Sequence, residues 1–162
     1  MGNNNPHTRP GPKSPKGPLV FLDIDGVLTR KPDYGKIDTQ LLVEFLRWID
    51  TIGGVIVLIS SWNEEQFSET LRRLPRRLAD RVTSQVSINF GNRNDAILHW
   101  IAENACEHDG VVILDDEDEK YANTPLARLV VSPQTENGMS ASDYIRATDI
   151  IHNKKFTQKC NP

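Results

Sequence analysis

Three apolar runs in this 162-residue chain end in side chains that can do chemistry. VFLDIDGV ends in Asp23 and Asp25 ahead of Gly26, VIVLISSW in Ser60 and Ser61, and VVILDDEDE in Asp115 and Asp116. Side chains alternate along a strand, so Asp23 and Asp25 should share one side while the first strand persists, and Gly26 then permits a sharp turn. If the strands are neighbours, four carboxylates meet at one edge. Each close pair among them repels by up to about 4 kcal/mol at an effective dielectric of 20. A cation must sit there, and an oxygen-only donor set favours Mg²⁺. Ser60, ending its strand, brings a hydroxyl and neighbouring backbone N–H groups to the same edge. Ser61 shares that position and also reads as the N-cap of a following helix.

The elements that would position these residues alternate regularly. An apolar run at 19–24 precedes a helix over about 39–52, and a second run at 54–60 precedes a helix over about 64–74 that Pro75 breaks. A weaker strand at about 81–88, a helix at about 94–105 and a buried strand at 110–116 follow, then a short strand at 127–131 and a helix at about 140–151. Strands alternating with helices of 10–15 residues imply βαβ units, hence a mostly parallel sheet covered on both faces. The fold class expected is a three-layer, Rossmann-like α/β sandwich, with its site at the carboxyl ends of the strands.

Composition sets the remaining bounds. The chain is long enough for one core that buries about two-thirds of its unfolded surface. It is 38% hydrophobic and 25% charged, with no apolar run near the roughly 20 residues of a membrane helix, so a membrane-spanning or collagen-like protein is excluded. Cys106 and Cys160 stand singly and no apolar leader is visible, which points to a reducing, cytoplasmic setting without a structural disulfide or zinc site. Residues 1–18 hold five of the ten prolines and no acid, and read as a disordered basic leader; 153–162 read as a basic tail. Setting aside the six basic residues of those ends, the body over 19–152 carries 13 basic against 22 acidic residues, including five consecutive acids at 115–119.

Together, DIDGV after an apolar strand, a serine ending the second strand and a paired aspartate ending a later one resemble motifs I, II and IV of the haloacid dehalogenase (HAD) superfamily of phosphatases and phosphotransferases. RLVVSPQTENGMS and the helix after it resemble the closing segment of small members, so the resemblance covers nearly the whole body. It implies a HAD-like fold and an aspartyl-phosphate intermediate. Asp23 would be the nucleophile and a metal ligand; Asp25 the general acid and base, with its backbone carbonyl on the metal; Asp115 and Asp116 further Mg²⁺ ligands, the latter directly or through water. Ser60 and Ser61 would bind phosphate. The superfamily's third motif is a basic residue near the start of the helix before the motif IV strand; Arg93 in GNRNDAILHW is the candidate, with Arg81 and Arg128 as alternatives.

Other residues carry less. Asp118 and Glu119 read as solvated acids, His99 as a helix-face residue and Trp62 as packing beside the site. Arg72, Arg73, Arg76 and Arg77 read as the solvated face of an amphipathic segment or as contacts for a phosphate-rich partner. The intervals from Asp25 to Ser60 and from Ser60 to Arg93 are too short to hold a cap domain. An open site suits a phosphate on a macromolecule, a nucleic-acid end or a phosphoprotein, because a small metabolite would find little surface to grip. The function expected is therefore a Mg²⁺-dependent phosphomonoesterase; the alternative is a catalytically silent HAD-like module that binds a cation or partner without turnover.

Overall fold

The computed structural model describes residues 17–87, 89–104 and 108–153. The expected leader lies outside these residues except for Gly17 and Pro18, and the expected tail except for Asn153; Cys106 and Cys160 also lie outside them. Gly17 and Pro18 already belong to the body. The Pro18 carbonyl accepts the Val55 N–H at 2.9 Å, and the Gly17 carbonyl lies 2.7 Å from a His108 ring nitrogen.

Along the chain run β1 (Leu19–Leu22), α1 (Thr39–Ile52), β2 (Val55–Leu58), α2 (Phe67–Arg73), α3 (Arg76–Ala79), β3 (Val82–Gln85), α4 (Arg93–Asn104), β4 (Val111–Leu114), β5 (Val130–Val131) and α5 (Ala141–Asn153). Short 3-10 turns cover Asp118–Tyr121 and Ala127–Leu129. The strands form one parallel sheet in the order β3-β2-β1-β4-β5. From β1 the chain steps outward to β3 and then returns to β4 on the other side of β1. The strand order therefore reverses between β1 and β4, and a crevice opens at their carboxyl ends.

Register makes that crevice chemical. Leu22 pairs with Leu58 on one side and with Leu114 on the other, so the next residues, Asp23, Ile59 and Asp115, emerge at one level. Strand alternation divides the core. Val20, Leu22, Ile56, Leu58, Val112, Leu114 and Val131 face α1, α3 and α5, while Leu19, Phe21, Val57, Val111 and Ile113 face α4 together with Tyr121, Leu126 and Leu129. Three layers result, as expected, and among the described residues no separate cap domain is present.

Local chemistry explains the boundaries. Asp38 caps α1 by accepting the Gln40 and Leu41 N–H groups at 2.9 and 3.0 Å, and Gly53, at φ 64°, closes it in the left-handed conformation. Between them Leu41, Leu42, Phe45, Leu46, Trp48 and Ile49 form one buried stripe. The expected helix from 64 starts only at Phe67. The buried Thr70 hydroxyl accepts the Glu64 N–H at 2.7 Å and donates to Gln85 Oε1 at 2.6 Å, and Gln85 Nε2 donates to the Glu64 carbonyl at 2.6 Å. These bonds hold the segment to β3 and pull it off the helix axis. The strand expected over 127–131 shrinks to two residues, because the Leu129 N–H bonds the Leu126 carbonyl at 2.8 Å and turns both leucines into the core. Among the described residues no helix is long and apolar enough to cross a membrane.

Phe45 is fully buried at the centre of the α1 stripe, whereas Ile145 on α5 is 64% exposed. Phe45→Ala should lower unfolding free energy by about 3–5 kcal/mol with an unchanged m-value, and Ile145→Ala should change it by less than about 0.5 kcal/mol. Urea titrations followed by circular dichroism check both.

Candidate active site

The cleft at the β1–β4 switch has a volume of about 530 Å³ and is open to solvent; Asp23, Asp25, Ser61, Arg93, Asp116 and Glu117 are among the residues lining it. Asp23 follows β1 and is 4% exposed. Its Oδ1 accepts the Ile24 N–H at 2.8 Å, and its Oδ2 lies 3.3 Å from Arg93 Nη1. Asp115, fully buried after β4, is held by three donors. The Glu117 N–H reaches Oδ1 at 3.0 Å; the Tyr121 hydroxyl and Arg93 Nη1 reach Oδ2 at 2.6 and 2.5 Å.

One carboxylate oxygen from each of Asp23, Asp115, Asp116 and Glu117 lies within 4.8 Å of the others. This is four carboxylates at one edge, as anticipated, but with one different member. Asp25 does not belong to the cluster. β1 ends at Leu22, the chain turns as Val27 and Leu28 N–H groups bond the Ile24 carbonyl, and the Asp25 carboxylate swings to the Trp62 indole Nε1, 3.0 Å away. Its place is taken by Glu117, which the sequence reading passed over. The donor set is all oxygen and anionic, which fits a hard divalent cation. Asp116 reaches the cluster by lying against Gly26. A Cβ on Gly26 would stand 2.0 Å from Asp116 Oδ2, and Gly26 has φ +75°. The glycine therefore serves both the turn and the close approach of the carboxylate.

The two serines divide differently from expectation. Ser60 is 4% exposed, sits beside Asp23, and accepts the Trp62 N–H on Oγ at 3.3 Å. Ser61 caps no helix, since α2 begins at Phe67; it is exposed and lines the cleft. Of the three basic candidates, Arg93 opens α4 and bridges Asp23 and Asp115. Arg81 instead pairs with Asp50, and Arg128 lies on the Ala127–Leu129 turn without lining the cleft. His99 faces Glu103 and Phe90 on α4. Asp118 and Glu119 are both exposed, and Glu119 lines the mouth.

Electrostatics follow from burial. Burial is the largest influence on Asp23 and pushes its carboxyl up to about 6 from an ordinary 3.8; Arg93 opposes this, Asp115 reinforces it, and the Ile24 N–H and Ser60 oppose it. Burial alone would lower the Arg93 pKa, but Asp23 and Asp115 outweigh it and keep the guanidinium charged. Burial, then the Asp115 charge, raises Tyr121 far above the usual phenol range, so its hydroxyl stays protonated and donates to Asp115. Asp116 is raised mainly by burial, with Asp115 and Glu117 adding and Thr135 opposing.

Tyr121 is the other residue the sequence reading missed. Its signal was faint: a lone aromatic at the end of a run of acids has to be buried with its hydroxyl satisfied. Tyr34, Lys31, Lys120 and Thr135 also line the cleft without having been singled out.

A Rossmann-like sheet with carboxylates after β1 and β4, serines after β2 and a basic residue opening the helix before β4 defines the haloacid dehalogenase superfamily. Within it, the chain belongs to the family described as the HAD domain in Swiss Army Knife RNA repair proteins, whose profile matches residues 19–144. No curated protein matches the chain.

Two outcomes follow from this geometry. In metal-free protein, a carbon-detected carboxyl titration should place Asp23 near 6, and higher in Arg93→Met. Because the folded carboxyl holds its proton to a higher pH than the unfolded one, its contribution of about 3 kcal/mol is present below 3.8 and disappears as pH rises through 6. Asp23→Asn should remove that downward slope from stability measured in EDTA. Gly26→Ala should cost about 1–3 kcal/mol from its left-handed backbone and weaken divalent-cation binding, measured by calorimetry, because the methyl displaces Asp116.

Proposed function

We propose that the protein is a Mg²⁺-dependent phosphomonoesterase that forms an aspartyl-phosphate on Asp23 and acts on a phosphate at a nucleic-acid end. One observation carries the reading: a buried carboxylate, Asp23, opens onto the cleft amid three further carboxylates and one fixed guanidinium. Asp23, Asp115, Asp116 and Glu117 would hold the metal, with the Asp25 carbonyl. Bound there, Mg²⁺ supplies positive charge that offsets the carboxylates and draws phosphoryl oxygens into line.

Asp23 attacks phosphorus while the P–O bond to the leaving group breaks, and Asp25 delivers its proton to the departing oxygen. Asp25 then takes a proton from water as that water attacks phosphorus, which releases inorganic phosphate and restores both aspartates. Arg93 and Ser61 bind phosphoryl oxygens, and Ser60 helps hold Asp23. Tyr121 fixes Asp115 from behind.

Three features support a nucleic-acid end over a small metabolite. The matching family is described from RNA repair proteins. Among the described residues no cap domain encloses the cleft. At its mouth Tyr34 is 47% exposed, with Lys31 Nζ 6.0 Å from the ring centroid, which offers a stacking face to a nucleotide; Lys31 and Lys120, each paired with a surface glutamate, add positive charge to the same lining. The two solitary cysteines suit the reducing cytoplasm.

Phosphate release should be measured with Mg²⁺ and with EDTA, using oligoribonucleotides bearing 3′- or 5′-phosphate, a phosphopeptide and a panel of sugar phosphates and mononucleotides. A phosphorylated oligonucleotide should give the highest kcat/KM, EDTA should abolish turnover, and Asp23→Asn should lose more than about a thousandfold while remaining folded. A small phosphate or the phosphopeptide preferred by tenfold or more would remove the nucleic-acid assignment. No release from any substrate would leave a silent cation-binding module.

A further inference from the structure

Asp25 differs from its neighbours in how it is held. Asp23 and Asp115 receive backbone N–H bonds and a guanidinium, but the half-buried Asp25 sits on a turn where no backbone N–H reaches its carboxylate among the described residues. Thr29 Oγ1 donates to Oδ1 at 3.5 Å, the long limit of a hydrogen bond, while accepting the Gly26 N–H at 3.0 Å. The short bond comes from elsewhere in the chain. Trp62, in the segment after β2, donates its indole N–H to Asp25 Oδ2 at 3.0 Å.

The indole is fixed in turn. Arg73, the last residue of α2, donates through Nη1 to the Trp62 carbonyl at 3.0 Å and to Glu64 Oε1 at 2.6 Å, and its guanidinium carbon lies 5.7 Å from the Trp62 ring centroid. A cation over an indole face at this range is attractive. The Trp62 N–H is bonded to Ser60 Oγ, which ties the same residue to the carboxyl end of β2. Glu64, Arg73, Trp62 and Asp25 therefore form one line from the surface of α2 to the cleft. Among the described residues, of Arg72, Arg73, Arg76 and Arg77 only Arg73 is hydrogen-bonded to Trp62 and stacked on its ring, and none of the other three lines the cleft.

We propose that Trp62 is a positioning residue that anchors Asp25 Oδ2 and so leaves Oδ1 to carry the transferred proton, and that Arg73 holds the indole in place. The proposal rests on the phosphatase reading above. An indole N–H can only donate, so the oxygen it occupies is the poorer one to bear a proton that must point at the leaving group. With that bond gone, only the long Thr29 contact restrains the carboxyl, and the proton is aimed correctly for only part of the time. The penalty falls on substrates whose leaving oxygen needs the proton.

Wild type, Trp62→Phe, Arg73→Met and Arg73→Lys should be compared on p-nitrophenyl phosphate, whose leaving group departs without help, and on glycerol 2-phosphate, whose alkoxide does not. For Trp62→Phe, kcat on the alkyl ester should fall about ten- to a hundredfold and on the aryl ester less than about threefold, with KM nearly constant. Arg73→Met should show a smaller version of the same pattern, and Arg73→Lys should recover part of it. Equal losses on both esters, or a change confined to KM, would overturn the proposal. A second measurement is independent of turnover: Asp25→Ala should move the Trp62 indole N–H resonance and speed its exchange, while Trp48 and Trp100, bonded to Thr148 and Ser84, serve as unmoved controls. An unmoved Trp62 signal would show that the anchor does not exist. Absence of turnover by wild type on both esters and on a phosphorylated oligoribonucleotide would refute the phosphatase reading, and with it the proton-aiming role, whatever the indole shows.

Discussion

Four carboxylate oxygens within 4.8 Å of one another cannot all stay ionised without a positive partner, and the architecture of this site follows from supplying one. The chain provides cations of its own: Lys120 pairs with Glu117 at the rim, and Arg93 is placed by the first turn of α4 so that one guanidinium nitrogen faces both Asp23 and Asp115. These are insufficient alone. Asp23 still lies near 6, well above an ordinary carboxyl, because burial outweighs the single guanidinium. A divalent ion would supply the remaining charge, and the same field that attracts it would draw in the oxygens of a phosphate. The parallel register of β1 and β4 is what imposes the problem, and so what makes the site: it brings two strand ends to one level with an aspartate on each.

How much of this could be read from the sequence depends on how local each cause is. Asp23 and Asp115 were legible because each directly follows an unbroken apolar strand, with Asp116 next in line, and a parallel sheet carries such residues to one edge. The α1 boundaries were legible for a similar reason, since Asp38 and Gly53 are caps that act within a turn of themselves. Glu117 and Tyr121 were not, because their placement depends on the 3-10 turn after β4, and in sequence they belong to a run of acids that looks solvated. The late start of α2 was hidden in a bond between Thr70 and Gln85, fifteen residues apart. The direction of the Asp25 side chain depended on a partner thirty-seven residues away. Local chemistry was visible; long-range hydrogen bonds were not.

The open cleft ties fold to substrate. The segments where a cap domain could be inserted are occupied by a short loop after Asp25 and by the Thr70–Gln85 bracket, which holds residues 64–66 against β3. Neither is long enough to form a domain over the cleft. In the proposed function, contacts that a cap would provide come from the substrate's own length, and Tyr34, Lys31 and Lys120 line the mouth where it would lie. Asp25 faces this open side, so in the proposed mechanism its proton transfer depends on side-chain anchoring by Trp62 more than on enclosure.

The account depends most on Asp23 becoming covalently phosphorylated. Wild-type protein with Mg²⁺ and a phosphorylated oligoribonucleotide should be quenched in acid within the first turnovers, digested, and mapped by mass spectrometry. The account predicts one phosphoryl mass on the peptide containing Asp23, removed by hydroxylamine as an acyl phosphate and absent from Asp23→Asn. Turnover with no phosphorylated peptide at any quench time, or with the label on another residue, would contradict it.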